Sequence, residues 1–410
     1  MPASKSHTIR AVAIASMADG LSRLQTPLVS EDTFSAAAAW RAMGANINTG
    51  QTEWIIKGTG GTLSAPDDVI DVGNSGTTLR LALASAALVR SGATVFTGDA
   101  QVRTRPMGPL LDALTQLGAV AFSTRGNGCT PVVIEGPIRG GQTEIDAVTS
   151  QFLSSLLINT PLASRDTDIK VTRLNEKPYV DLTLAWLDSQ EIRYEAADDY
   201  SSFHVPGGQS YHSFDRAVPA DFSSATFFLC AAALCGEAVS LIGLDFDDPQ
   251  GDKKVVDLLK DMGANIVVTP DEVRIDSVPL HGAELDLNAT PDALPALAVT
   301  ACFAEGKTLL LNVPQARLKE TDRIAVMTRE LRGLGARIEE LDDGMMIEGG
   351  GIRGGHAKGH NDHRIVMALT LAGLAGKKDV AIDSAEAVNV TFPDYVKLMN
   401  DLGADMAMES

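Results

Sequence analysis

The chain has 410 residues, 45% of them apolar and 21% charged, which is ordinary for a folded globular protein with room for two or three domains. Its formal charge of −19 at pH 7 argues against nucleic acid or an anionic membrane surface as partner, and makes any cluster of Arg and Lys conspicuous. No apolar run approaches the ~18 residues of a membrane span, and Lys5, His7 and Arg10 interrupt any signal-peptide pattern, so a cytoplasmic protein is expected.

Taken in order, the chain opens with Ser4-Lys5-Ser6-His7-Thr8-Ile9-Arg10 followed by the apolar stretch Ala11 to Met17 and Gly20. A small polar turn leading into a buried helix recurs at Gly73-Asn74-Ser75-Gly76-Thr77, at Thr149-Ser150-Gln151 and at Asp221-Phe222-Ser223-Ser224. It recurs again at Thr290-Pro291-Asp292 and at Asn361-Asp362-His363-Arg364. The six starts follow one another at intervals of about 70 residues, the mark of a repeated supersecondary unit.

A second series runs in phase with the first. Met43-Gly44-Ala45, Leu117-Gly118-Ala119, Met262-Gly263-Ala264, Leu334-Gly335-Ala336 and Leu402-Gly403-Ala404 each end an amphipathic helix, with a degenerate copy near Trp186 to Ile192. Glycine there fits a left-handed helix terminus. Each unit therefore reads as polar turn, buried helix, strand, amphipathic helix, glycine and a pair of strands, a mixed α/β (α+β) protein of βαβαββ type. Helices such as Ala225 to Cys235 and Ile365 to Leu374 are apolar on every side and belong inside. Short strands such as Val132 to Glu135 and Glu272 to Ile275 belong outside them. The units divide into two lobes of three, residues 4–216 and residues 217–410 with 1–3, the chain crossing near Phe214 to Pro219. If the buried helices of each lobe run parallel, their positive N-terminal ends gather around a cleft between the lobes, where a multiply anionic small molecule would bind.

Lys5, Arg10, Arg80, Arg105, Lys319, Arg323 and Arg364 fall at or beside these starts, and Asp292, Glu320 and Asp362 supply carboxylates there. Arginine pairs bidentately with carboxylate and phosphate, and a carboxylate among cations can handle a proton. Of the four cysteines, Cys230, Cys235 and Cys302 lie in apolar helical runs, which suits free thiols rather than a disulfide framework. His356, His360 and His363 lie in a Gly-rich loop that makes a metal site improbable.

These motifs resemble those of the enolpyruvyl transferase family, in family order and over nearly the whole chain. The resemblance rests on Ser4-Lys5-Ser6 with Arg10, Gly73 to Thr77, Arg103-Thr104-Arg105-Pro106-Met107, Thr149-Ser150-Gln151-Phe152 and Lys177-Pro178-Tyr179. It continues through Asp221, Pro291-Asp292, the highly specific Arg317-Leu318-Lys319-Glu320-Thr321-Asp322-Arg323, then Asn361 to Arg364 and Thr391-Phe392-Pro393. It implies a two-lobed inside-out α/β barrel of six repeats that opens and closes. It also implies transfer of the enolpyruvyl group from phosphoenolpyruvate to the 5-hydroxyl of shikimate 3-phosphate, without cofactor or metal, by a monomer.

Carried over by position, the resemblance makes Lys5, Asp292, Lys319 and Glu320 catalytic, with Glu320 donating the proton to the methylene carbon. Lys5, Ser6, Arg10, Thr149, Ser150, Gln151, Tyr179, Asp292, Gln315 and Lys319 would bind the acceptor, Ser6 and Arg10 through its carboxylate. Lys5, Asn74, Gly76, Arg105, Gln151, Arg323 and Arg364 would hold phosphoenolpyruvate. The sister reaction on UDP-N-acetylglucosamine places a reactive cysteine in the turn occupied here by Gln101 to Pro106, which has none.

The chain departs from the family pattern in places. It starts at Pro2-Ala3-Ser4 without a preceding strand, and has Thr149 for Ser and Gln315 for Asn. Glu176 stands where the family has a serine on the acceptor's phosphate, and Val390 where a lysine meets phosphoenolpyruvate; both lower the positive potential. Glu176 is expected to turn away toward Lys177 or Arg173. Two other readings stay open: a divergent transferase with a different, non-phosphorylated acceptor, and a silent metabolite-binding protein, which intact Asp292, Lys319 and Glu320 oppose.

Overall fold

A computed structural model describes residues 1–409. The chain folds as two compact units, the first Ala3–Val218, the second Met1–Pro2 together with the chain from Pro219 onward. Residues 1–2 are tied to the second unit by backbone bonds, from the Met1 amine to the Ile242 carbonyl (3.2 Å) and from Asp221 N–H to the Pro2 carbonyl (2.9 Å).

Each unit is built around three buried helices. In the first these are α1 (Lys5–Met17), α2 (Gly76–Ala86) and α3 (Ser150–Asn159). In the second they are α4 (Phe222–Cys235), α5 (Leu294–Phe303) and α6 (His363–Ala375). Five begin where the sequence places them; α5 is preceded by a 3-10 turn, Pro291–Ala293, because Pro291 and Pro295 remove backbone donors at its entry. Ile9, Ala13, Leu79, Leu83, Phe152, Leu156, Phe227, Leu297 and Leu369 are all fully buried, and each large side chain among them gains about 1.5–3 kcal/mol on leaving water.

Side-chain contacts fix the helix directions. Gln151 Nε2 donates to Thr77 Oγ1 (3.1 Å), Ser155 Oγ to the Arg80 carbonyl (2.6 Å) and Ser85 Oγ to Asn159 Oδ1 (2.8 Å). Contacts that climb both helices together make α2 and α3 parallel, starting at one end. Arg10 reaches Ser154, and Ser85 reaches Met17 Sδ, so α1 runs the same way. In the second unit Cys230 pairs with Thr300 midway along α4 and α5, and Arg364 at the start of α6 meets Asp292 just before α5.

Outside the helices lie small sheets, and their regularity confirms the repeat. Strand Ala93–Thr97 pairs parallel with Ile70–Asp71 and antiparallel with Val132–Glu135, which pairs antiparallel with Val120–Ser123. The same pattern organises the sheets of strands Leu21–Gln25, Thr167–Leu174 and Lys307–Leu311. Among the described residues the sheet of Val239–Ile242 lacks the parallel edge strand, and that of Val380–Asp383 retains only that parallel partner.

The glycines that close the amphipathic helices take left-handed backbone, with φ of 107° at Gly44, 102° at Gly118, 88° at Gly263, 96° at Gly335 and 98° at Gly403. In the degenerate copy a non-glycine residue, Glu191, adopts φ 56°, so the turn geometry outlives the residue that favours it. Among the described residues no helix is long and apolar enough to cross a membrane.

Candidate active site

In the first unit the helix starts carry hydroxyl caps. Ser4, Ser75 and Thr149 oxygens accept from the backbone N–H groups of His7 (3.5 Å), Thr78 (3.4 Å) and Gln151 (3.5 Å), long contacts that only weakly satisfy the helix ends. Lys5 lies beside the first of them, its Nζ 3.0 Å from Asp32 Oδ2. Asp32 is itself buried, a partner for Lys5 that the sequence did not single out.

Arg10 is almost wholly enclosed, at 1% exposure. Its Nε donates to Thr183 Oγ1 (2.9 Å), Nη1 to the Ser6 carbonyl (3.1 Å), and Nη2 to Ser154 Oγ (3.3 Å) and the Tyr179 carbonyl (3.1 Å). Burial lowers its pKa to about 10, with Tyr179 and Glu176 pulling the other way. Placed like this, Arg10 knits α1 to α3 and to the helix Lys177–Ser189, and the expected reach to an acceptor carboxylate would require those bonds to exchange.

At the start of α2, Asn74 Nδ2 donates to Asp99 Oδ2 and Gln101 Oε1, both at 2.6 Å. Arg105, 4% exposed, lies across Gly76 so closely that a Cβ there would come 2.1 Å from its Nη1; only glycine permits that approach. Arg80 Nη1 donates to Gln151 Oε1 (2.7 Å) while its guanidinium lies over the Phe152 ring. Cys129, far along the chain from the Gln101–Pro106 turn, packs its Sγ 3.5 Å from the Thr104 carbonyl. Burial raises its pKa despite Arg125 nearby, which keeps it a neutral thiol.

The start of α3 corrects one expectation. Glu176 does not turn toward Lys177 or Arg173: Arg173 pairs with Asp146 (2.6 Å), and the Lys177 ammonium lies over the Tyr200 ring. Instead Glu176, 2% exposed and in left-handed backbone (φ 58°), points inward. Its Oε2 accepts from Ser150 Oγ (2.9 Å), Thr149 Oγ1 (3.2 Å) and Ser150 N–H (3.3 Å). A carboxylate with several donors and a helix N-terminus beneath it needs no lysine partner, which explains the choice.

In the second unit one guanidinium organises the charges. Arg323, 1% exposed, donates from Nη1 to Asp292 Oδ1 (2.7 Å), from Nη2 to Glu320 Oε2 (2.5 Å), and from Nε and Nη2 to Asp362 (2.9 and 3.0 Å). Arg364 Nη2 reaches Asp292 Oδ2 at 3.0 Å and Lys319 Nζ lies 3.8 Å from its Oδ1. Burial alone would push the Asp292 carboxyl up, yet Arg364, Lys319 and Arg323 together hold it well below the usual carboxylate range. Burial likewise opposes the Arg323 charge, and Asp362, Glu320 and Asp292 more than compensate. Three cations and three carboxylates thus form a set that is neutral as a whole.

Other expected positions fall as follows. Gln315 is buried, its Nε2 on the Asn288 carbonyl (3.1 Å). Val390 ends the 3-10 turn Ala385–Val390, next to buried Thr391 and Phe392, which packs on Phe228 and Tyr395. His360 meets Glu330 at 2.8 Å, and among the described residues no group of His, Cys, Asp and Glu is arranged to hold a metal. Cys230 and Cys302 are pushed up to about 12 by burial, inert thiols in the core.

The chain is similar to known proteins along nearly its whole length. The model of the EPSP synthase (3-phosphoshikimate 1-carboxyvinyltransferase) family matches residues 1–399. A 3-phosphoshikimate 1-carboxyvinyltransferase from Acetivibrio thermocellus is 54% identical over 407 residues, covering 99% of this chain and 96% of that one. One from Ruminiclostridium cellulolyticum is 50% identical over 408 residues, covering 100% and 96%. Among solved structures, the EPSP synthase from Acinetobacter baumannii superposes with a TM-score of 0.81 at 28% identity, covering 100% of this chain and 96% of that one.

Proposed function

Since the chain belongs to the EPSP synthase family, we propose that it transfers the enolpyruvyl group of phosphoenolpyruvate to the 5-hydroxyl of shikimate 3-phosphate and releases phosphate. The acceptor O–H adds across the C2–C3 double bond, oxygen to C2 and a proton to C3. The resulting tetrahedral intermediate then loses phosphate from C2 and a proton from C3, restoring the double bond on the acceptor.

The observation that supports this best is the balanced cluster around Arg323. An incoming phosphoenolpyruvate brings phosphate and carboxylate groups that compete for Arg323 and Arg364. Each arginine that turns to the substrate releases Asp292 or Glu320 from an ion pair, and a released carboxylate can carry a proton. Substrate binding and acid–base competence are then one event. Glu320 is assigned the C3 proton, while Asp292 and Lys319 address the acceptor hydroxyl. Lys5 neutralises charge on both substrates once it leaves Asp32. Asn74, Gly76, Arg105 and Gln151 serve phosphoenolpyruvate; Ser6, Arg10, Thr149, Ser150, Gln151, Tyr179 and Gln315 serve the acceptor. The developing charges are met by fixed cations rather than by water, the usual source of such rate gains. The protein is taken to act in the cytoplasm and as a monomer, and gel filtration of the pure protein tests the oligomeric state.

Phosphate release from phosphoenolpyruvate, assayed with shikimate 3-phosphate, shikimate and UDP-N-acetylglucosamine in parallel, tests the assignment. Release with shikimate 3-phosphate alone is expected. Preferential turnover of either other acceptor overturns it.

A further inference from the structure

Glu176 is a buried carboxylate that the reaction above does not use, and it occupies the start of α3, where Thr149 and Ser150 are assigned to the acceptor. Its Oε2 accepts from the Thr149 hydroxyl, the Ser150 hydroxyl and the Ser150 N–H, at 3.2, 2.9 and 3.3 Å. These are the donors an acceptor's phosphate would use there. We propose that Glu176 is a specificity-determining residue, a resident anion in the acceptor's phosphate subsite that the acceptor must displace in order to bind.

The argument starts from the donors. A helix N-terminus offers N–H groups and a positive potential, and an anion of any origin satisfies them. Here the chain supplies its own. The residue sits in left-handed backbone at φ 58°, an unusual setting for glutamate. That backbone places it one residue before the helix Lys177–Ser189, with the side chain aimed at α3 and not at solvent. The nearest cations of its own segment are engaged elsewhere, Arg173 with Asp146 and Lys177 over Tyr200.

A phosphate cannot simply join it. Two like charges on shared donors a few ångströms apart repel strongly once water is excluded. The incoming group must move Glu176 outward and take over its bonds. The cost is specific: it falls on acceptors that carry a phosphate at this position, and not on phosphoenolpyruvate, whose assigned arginines are elsewhere. Glutamate here lowers affinity for a phosphorylated acceptor relative to a neutral residue, and the effect belongs in KM more than in kcat.

This inference rests on the acceptor assignment above, and its test separates the two. Glu176→Gln keeps the shape and removes the charge; Glu176→Ser empties the subsite. In both variants KM for shikimate 3-phosphate should fall by about tenfold, the scale of relieving one partly desolvated like-charge contact. KM for phosphoenolpyruvate and kcat should move by less than about twofold. An unchanged or raised KM for shikimate 3-phosphate in both variants overturns the proposal and leaves the reaction intact. A second arm needs no turnover: inorganic phosphate, titrated against the folded proteins by thermal shift, should stabilise Glu176→Gln at lower concentration than wild type. Equal midpoints overturn the proposal. Absence of turnover with shikimate 3-phosphate in all three proteins would contradict the acceptor assignment, with the phosphate titration still deciding whether Glu176 occupies an anion subsite.

Discussion

The two units repeat one scaffold and cap its helices with different chemistry. At the starts of α1, α2 and α3 the capping groups are hydroxyls, 3.4–3.5 Å from their donors. At the starts of α4 and α6 they are the carboxylates of Asp221 and Asp362, each 3.0 Å from its donor. A carboxylate cap satisfies the helix end and adds a negative charge, which the second unit answers with Arg323, Arg364 and Lys319. The first unit caps its helices with neutral groups and brings carboxylates to them from elsewhere: Asp32 to Lys5 beside α1, Asp99 to Asn74 at α2, and Glu176 to Thr149 and Ser150 at α3. The second unit therefore carries an ion-pair network at its helix starts, and the first carries hydroxyl caps with Lys5, Arg10, Arg80 and Arg105 near them.

The largest effect that follows is catalytic. Glu320→Gln keeps the bond acceptor for Arg323 but removes the acid, so kcat should fall by ~10²–10⁴ with a smaller change in KM for phosphoenolpyruvate. Turnover at the wild-type rate would remove Glu320 from the proton-donor role.

Next comes stability, where the units should differ. Arg323→Met strands Asp362, which is 0% exposed, and should cost about 3–5 kcal/mol, the toll of an uncompensated buried charge. Arg80→Met in the first unit removes a guanidinium bonded to the neutral Gln151 and should cost about 1–3 kcal/mol. Urea unfolding measures both, and equal losses would break the contrast between a charged and a neutral network.

Gly76→Ala tests the close approach of Arg105. A Cβ 2.1 Å from Nη1 forces the guanidinium aside, and KM for phosphoenolpyruvate should rise by about tenfold or more, as expected of a misplaced binding group. An unchanged KM would show that Arg105 does not hold that substrate.

The smallest effect concerns pH. Asp292 is held below its ordinary pKa, so in the folded state it stays charged while the unfolded chain takes up a proton near pH ~4. Its contribution to stability is thus present above that pH and is lost as pH falls toward the depressed value. Unfolding free energy of the wild type should drop more steeply than that of Asp292→Asn between pH 5 and 3, roughly the window in which the unfolded carboxyl titrates. Parallel curves would contradict the assignment of Asp292 as the ionised centre of the cluster.

The repeat was legible in the sequence because each helix start and each closing glycine is a local signal. Six polar turns before apolar runs define six helices without knowledge of their packing. Arg323, Arg364, Lys319, Asp292 and Glu320 were legible as a set because they stand at those turns, and the structure brings them within ion-pair distance. Asp32 was not, since it lies within the first turn of an ordinary amphipathic helix, Glu31–Ala42, and only tertiary packing carries it to Lys5. Glu176 was noticed as a charge out of place, but its direction was misjudged. Sequence neighbours suggested Lys177 and Arg173, whereas the left-handed backbone at Glu176 aims the side chain at donors 26 and 27 residues away along the chain. Cys129 beside Thr104 was missed for the same reason.

Phosphorus NMR on a mixture of enzyme, phosphoenolpyruvate and shikimate 3-phosphate tests the central claim most directly, because it follows both phosphates at once. The predicted result is loss of the phosphoenolpyruvate signal with equal growth of inorganic phosphate, while the phosphate of shikimate 3-phosphate shifts to a new monoester signal without being cleaved. Neither change should occur when one substrate is omitted. Inorganic phosphate appearing without acceptor, or a folded enzyme that leaves both signals untouched, would contradict the account.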